Sequence, residues 1–121
     1  MPRESYMPRP LADLPTTPFD SVEEAWFWFM QANEARQAGA KIVAGKSLTP
    51  RPCEPLDMLR VIDRLYRNRR LMLDHLRVLA HYGRRLMAPD PLRSKKARAS
   101  QLWREALARL EPALRGKGIV A

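Results

Sequence analysis

The sequence predicts an all-α domain, a compact bundle of about four helices behind a proline-rich N-terminal arm. Three observations carry that expectation. Apolar residues recur at helical spacing over most of the chain. Residues that open and close helices fall at the ends of those periodic stretches. The one extended-looking triplet, Ile42, Val43 and Ala44, has no second strand to pair with. At 121 residues the chain has the size of one domain, and a domain of this length hides roughly two-thirds of its unfolded surface, enough for one modest core. The expected division is an arm over residues 1–19 and a single helical domain over residues 20–121.

The arm holds Pro2, Pro8, Pro10, Pro15 and Pro18, which remove backbone donors and push the residues before them toward extended conformations. Leu11, Leu14 and Phe19 are the apolar groups that could pin it to the body. The first helix should open near Asp20 or Ser21, because Ser21 with Glu24 forms a capping box and Glu23 suits the positive end of the helix dipole. Gly39 is placed to stop it. Within it, Trp26, Phe27, Trp28 and Phe29 point to every side of the cylinder at about 100° per residue. Such a helix must be covered all round, either as the central helix of the domain or with one side forming a subunit interface.

Residues 40–55 form a connector rich in Gly and Pro, and Pro55 suits the first turn of a second helix running to about Asn68. Its expected inward face is Leu56, Leu59, Ile62, Leu65 and Tyr66, with Asp57, Arg60, Arg64 and Arg67 outward. A third helix should cover Leu71 to about Tyr82, with Leu73, Leu76, Leu79 and Ala80 inward, Val78 beside them, and Gly83 as its end. No Gly or Pro enforces a break at Arg69 and Arg70, so one long helix is the alternative to two. Asp90 followed by Pro91 reads as the cap and first residue of a fourth helix extending to about Leu110. Its inward stripe would be Ala99, Leu102, Trp103, Ala106 and Leu110. Pro112 should kink or end it, and Gly116 and Gly118 should leave the tail loose.

Charge is distributed unevenly along these elements. The net charge of +9 sits in residues 60–98, where twelve basic residues face only Asp63, Asp74 and Asp90. A block of this kind is an electrostatic footprint for a polyanion, of which nucleic acid is the commonest. The run Arg93, Ser94, Lys95, Lys96 and Arg98 is expected in the first turns of the fourth helix, where cations oppose the helix dipole by about a few tenths of a kcal/mol each. Amide donors and lysines at a helix start are also what a phosphate seeks. Arg67, Arg69 and Arg70 form a second cluster and Arg84 and Arg85 a third. Arginine outnumbers lysine ten to two in the block, and its planar fork suits phosphate and guanine, although an arginine-rich proteome would give the same bias. Tyr82 and His81 beside Arg84 and Arg85 could put an aromatic next to cations, as single-strand binders do, with a core Tyr82 as the plainer expectation.

Catalytic chemistry finds little support. Cys53 excludes an internal disulfide, and with only His75 and His81 beside it the chain lacks the soft ligands of a structural zinc site. The two histidines are six residues apart and do not share a helical face. His75, next to Asp74, is expected on a helix surface. Phosphate-binding glycine loops, paired-carboxylate signatures and nucleophile elbows are absent from the sequence. No catalytic, metal or cofactor site is therefore expected. No apolar run is long enough to span a bilayer, and the opening MPRESYMPRP has no signal-peptide core, so a cytoplasmic protein is expected.

The segment Leu73, Asp74, His75, Leu76, Arg77, Val78, Leu79, Ala80, His81, Tyr82, Gly83 resembles the first helix of a helix-turn-helix in sigma-factor region 4, where a Val-Leu pair precedes a glycine turn. The resemblance covers residues 73–83 alone. Residues 84–91 depart from it, with two prolines in place of a short second helix. It would imply a DNA-binding transcription regulator with the recognition role passing to residues 93–101.

The sequence thus points to a small non-enzymatic nucleic-acid-binding protein, DNA before RNA, that acts as a DNA-associated regulator through Arg67, Arg69, Arg70, Arg84, Arg85, Arg93, Ser94, Lys95, Lys96 and Arg98. The alternative is an adaptor or assembly subunit that binds an acidic protein partner with the same face and forms a homodimer through Trp26, Phe27, Trp28 and Phe29.

Overall fold

The computed structural model describes residues 16–37 and 51–121. The arm up to residue 15, with Leu11 and Leu14, and the connector over 38–50, with Gly39 and the triplet at 42–44, lie outside the described residues. Four α-helices succeed one another: α1 (Val22–Gln37), α2 (Pro55–Arg67), α3 (Leu73–Arg85) and α4 (Ala97–Gly116), with a 3₁₀ turn at Ser94–Lys96 leading into the last. They form an all-α bundle in which α4 and α1 each contact the other three helices, whereas α2 and α3 barely touch.

Local chemistry sets the helix starts. Ser21 Oγ accepts the Glu24 N–H at 3.1 Å, and the Glu24 carboxylate reaches back to the Asp20 N–H at 2.8 Å. This satisfies amide donors that the first turn leaves without partners. Pro55 occupies the first turn of α2, where its missing N–H is no loss, and Asp57 accepts the Glu54 N–H at 2.8 Å.

The chain does break between α2 and α3. The Arg70 N–H donates to the Leu65 carbonyl and the Arg69 N–H to that of Tyr66, with Arg69 left-handed at φ 61°. This is a Schellman closure, and the same 6→1 and 5→2 bonds close α3 around Leu86 (φ 54°) and α4 around Gly118 (φ 76°). Gly118 adopts its conformation freely, whereas Arg69 and Leu86 each carry a side-chain clash of about 1 kcal/mol.

Each of the four aromatics of α1 packs on another ring of the domain, but only Trp26 and Phe29 are buried, with Phe27 and Trp28 half-buried. Trp26 and Phe29 are buried against each other with ring centroids 5.0 Å apart. Phe27 stacks on Trp103 of α4 at 5.8 Å, and Trp28 meets Phe19 at 5.4 Å. Trp26 and Phe29 therefore present no surface for a subunit interface.

Several expectations need correcting. On α2 the buried residues are Met58 and Val61, with Ile62 and Leu65 half-buried, while Leu56, Leu59 and Tyr66 are exposed. The apolar arc is wider than the strip that α1 and α4 cover, so its Leu59 and Tyr66 edge stays outside. On α3, Leu73 is half exposed, and the inward positions belong to His75, Leu79 and Tyr82, with Leu71 fully buried just before the helix. α4 starts at Ala97 rather than Pro91. The Asp90 carboxylate accepts the Leu92 N–H at 2.9 Å in an Asx turn, and the extended Arg93 interrupts the helix before it begins. α4 then runs through Pro112, which lies on an exposed face where the freed Ala108 carbonyl meets water. Nor is the tail loose. Ile119 and Val120 are buried, and Phe19 donates to the Ile119 carbonyl (2.8 Å) while accepting from Ala121 (2.9 Å). That bridge brings the end of the arm into the core.

Gly83 does not end α3. It lies buried inside the helix, and a Cβ there would meet Met30 Cγ and Trp26 Nε1, each at 2.7 Å. The helix continues to Arg85 because Gly83 serves the close approach of α1. Gly83→Ala in an exposed helix would stabilise by about 1 kcal/mol. Here the overlap with an anchored indole should reverse the sign, to a net loss of about 1–2 kcal/mol in urea unfolding.

Candidate nucleic-acid interface

The turn that closes α3 positions the site. At Leu86 the chain reverses through the left-handed region, and residues 87–93 lead back toward the start of α4. Tyr82, Arg85, Met87, Ala88, Pro89, Asp90, Arg93 and Lys96 then surround a pocket of about 300 Å³. Its wall is largely carbon, and three cations and one carboxylate stand around it. Asp90 is already turned toward the Leu92 N–H (2.9 Å) and the Arg93 guanidinium (3.9 Å). The Lys96 ammonium lies 5.8 Å from the centre of the Tyr82 ring, within cation–π range. Tyr82 is a core residue, held edge-on to Trp103 and to His81, and still forms part of this wall.

The structure divides the basic residues that the sequence grouped. Arg85, Arg93 and Lys96 come together at the pocket, and Ser94, Lys95 and Arg98 continue the exposed surface along the 3₁₀ turn and the first turn of α4. Arg84, one residue from Arg85 and so about 100° around the helix, instead borders a groove between α1, α2 and α3. Arg67, Arg69 and Arg70 lie at the other end of α3, about 18 Å away by helical rise. There Arg109 of α4, which sequence patterning did not single out, donates to the Arg70 carbonyl at 3.0 Å and adds a fourth cation. Only the fold reveals it, since 39 residues separate the two positions.

Few acids oppose these charges. Arg67 pairs with Asp63 at 3.2 Å and Arg93 with Asp90 at 3.9 Å, both exposed pairs worth at most about 1 kcal/mol. Among the described residues no carboxylate lies within 4 Å of Arg69, Arg70, Arg84, Arg85, Lys95, Lys96 or Arg98. The first turn of α4 contains no acid. Its start is therefore electropositive from both side chains and backbone, although the run lies mostly ahead of the helix rather than inside it.

Of the groups weighed for catalysis, His75 is buried and Cys53 half-buried, whereas His81 is exposed. His75 is buried, not on a helix surface: its Nδ1 accepts the Met72 N–H at 3.0 Å, so Nε2 carries the proton and donates to Glu105 at 2.9 Å. Both nitrogens are occupied in joining the start of α3 to α4. Burial, then the carboxylates of Asp57 and Glu54, push the Cys53 thiol from 9.0 up to about 11, which keeps it protonated and poorly nucleophilic at neutral pH. Among the described residues no three His, Cys, Asp or Glu side chains gather as a metal site would require, and no helix is long and apolar enough to cross a membrane.

Hydrogen bonds from His75 and then Gln101 hold the Glu105 carboxyl below its usual range, with the charge of Arg109 adding to the effect. A lowered folded-state pKa contributes stability above the ordinary glutamate value, and that contribution is lost as pH falls through it. Glu105→Gln should therefore flatten the acid side of a stability profile taken by urea unfolding between about pH 3 and 7. His75→Ala, which also leaves the Met72 N–H unpaired, should cost about 2–3 kcal/mol at neutral pH. The chain matches no protein-family model, and no curated protein or solved structure shows significant similarity to it.

Proposed function

We propose that this is a small, non-enzymatic nucleic-acid-binding protein, a DNA-associated regulator that grips the phosphate backbone with the basic surface at the α3–α4 corner. The observation that carries the reading is the gathering of Arg85, Arg93 and Lys96 around one concavity, flanked by Lys95 and Arg98, with Asp90 as its only acid among the described residues. Like charges brought around one concavity repel, and a bound polyanion removes the repulsion. Arg67, Arg69, Arg70 and Arg109 form a second basic corner about 18 Å away, a separation that one extended strand or duplex spans.

A second reading is supported by a different surface. The groove between α1, α2 and α3, about 280 Å³, is floored by Phe29, Leu76 and Leu79, with the exposed Leu59 at its edge. An adaptor would hold a protein partner there, at a groove to which α1 contributes Phe29, rather than through Phe27 and Trp28, which pack on Trp103 and Phe19.

The test is a fluorescence titration with random duplex DNA across a salt series. Log affinity should fall linearly with log salt, and Lys95→Ala combined with Lys96→Ala should make the slope shallower by about one unit for each phosphate no longer neutralised. Absence of binding at low salt to duplex and single strands alike overturns the nucleic-acid reading.

A further inference from the structure

The α3–α4 pocket has a feature that phosphate contact alone does not use. A surface that only neutralises a duplex backbone needs cations and no apolar wall for a base, because paired bases are turned inward. This site is concave, and between its cations the exposed Met87 side chain stands beside the edges of the largely buried Tyr82 ring and Pro89. Met87, which lines the pocket with Arg85 and Lys96, is 62 % exposed, an apolar side chain held in water beside cations. Apolar wall and cations together match the two halves of a nucleotide, a flat base and its phosphate. The volume of about 300 Å³ falls at the small end of ligand pockets, which suits one nucleotide and not a base pair.

Resting on the nucleic-acid reading above, we infer that this pocket takes one unpaired nucleotide of single-stranded DNA. Its base lies against Met87, Pro89 and the Tyr82 edge, and its phosphate lies among Arg85, Arg93 and Lys96. Arginine serves both halves, since its guanidinium plane stacks on a base and its edge binds phosphate. Asp90, 3.9 Å from the Arg93 guanidinium, shares that cation with the phosphate, whereas among the described residues Arg85 and Lys96 have no carboxylate within 4 Å. Binding by this route requires a base out of its duplex stack, so the site distinguishes single strands from duplex by shape as well as charge.

The experiment measures fluorescence anisotropy of the full chain with a labelled strand, the same strand annealed to its complement, and the same strand carrying abasic sites, at one low salt concentration. The intact single strand should bind about tenfold more tightly than either of the others. Met87→Gln removes the apolar wall without changing charge and, being at an exposed position, should leave the urea midpoint unchanged. It should lower single-strand affinity severalfold and leave duplex affinity unaltered. Equal affinity for intact, abasic and duplex DNA would overturn the inference while leaving the nucleic-acid reading intact. Saturable binding of a nucleoside monophosphate without binding of any strand would assign the pocket to a free nucleotide and overturn it as well. No binding to any of these probes overturns both readings.

Discussion

Trp26 crosses from α1 to α3 and donates its indole N–H to the Leu79 carbonyl at 3.0 Å, while the ring edge fills the space where a side chain at position 83 would begin. The bond gives a buried donor its partner, and the missing Cβ of Gly83 lets the two helices meet closely enough to make it. Once this distance is fixed, the neighbouring positions are set as well. Phe27, about 100° around α1 from Trp26, falls on Trp103 of α4, and Trp103 in turn donates to Glu23 at 3.1 Å. Tyr82, one residue before Gly83, is carried toward α4, where it packs against Trp103 and forms one wall of the candidate site. The position of the site is thus a consequence of core geometry.

Where a feature depends on neighbours within four residues, the sequence was a good guide. Ser21 with Glu24 and Pro55 mark helix starts because the groups they satisfy belong to the same turn. Gly83 shows the limit. Locally a glycine after an apolar run reads as a stop, yet this one admits Trp26 of α1, whose bond to the α3 backbone joins residues 53 apart. Position 75 misled in a similar way. An imidazole beside Asp74 looks like a surface residue until Glu105, 30 residues on, supplies the partner that makes its burial tolerable. Asp90 and Pro91 carry a helix-start signature, but the aspartate that caps a helix also builds an Asx turn, and here the turn wins.

The basic block was legible as charge and not as geometry. Arg84 and Arg85 are adjacent in sequence and face different concavities, since one residue of α-helix turns the side chain through about 100°. Arg93 and Lys96 join Arg85 only because the chain reverses at Leu86, and a leucine gives no sequence signal for a left-handed turn. Arg109 reaches the other corner from α4 by tertiary contact alone.

Among the described residues the two non-glycine residues in the left-handed region, Arg69 and Leu86, stand at these two basic corners, whereas the end of α4 uses Gly118. Glycine would close the helices at Arg69 and Leu86 with less strain. At Arg69 the strain of about 1 kcal/mol is accompanied by an exposed guanidinium beside Arg67, Arg70 and Arg109, a gain in local charge that glycine cannot supply. At Leu86 nothing in the structure explains the side chain itself, but the reversal there is what turns Met87, Pro89 and Arg93 back toward Arg85. Strained backbone persists only where the surrounding structure holds it in place. Here the rigidity comes from the same Trp26, Gly83 and Tyr82 region of the core that sets the wall of the pocket.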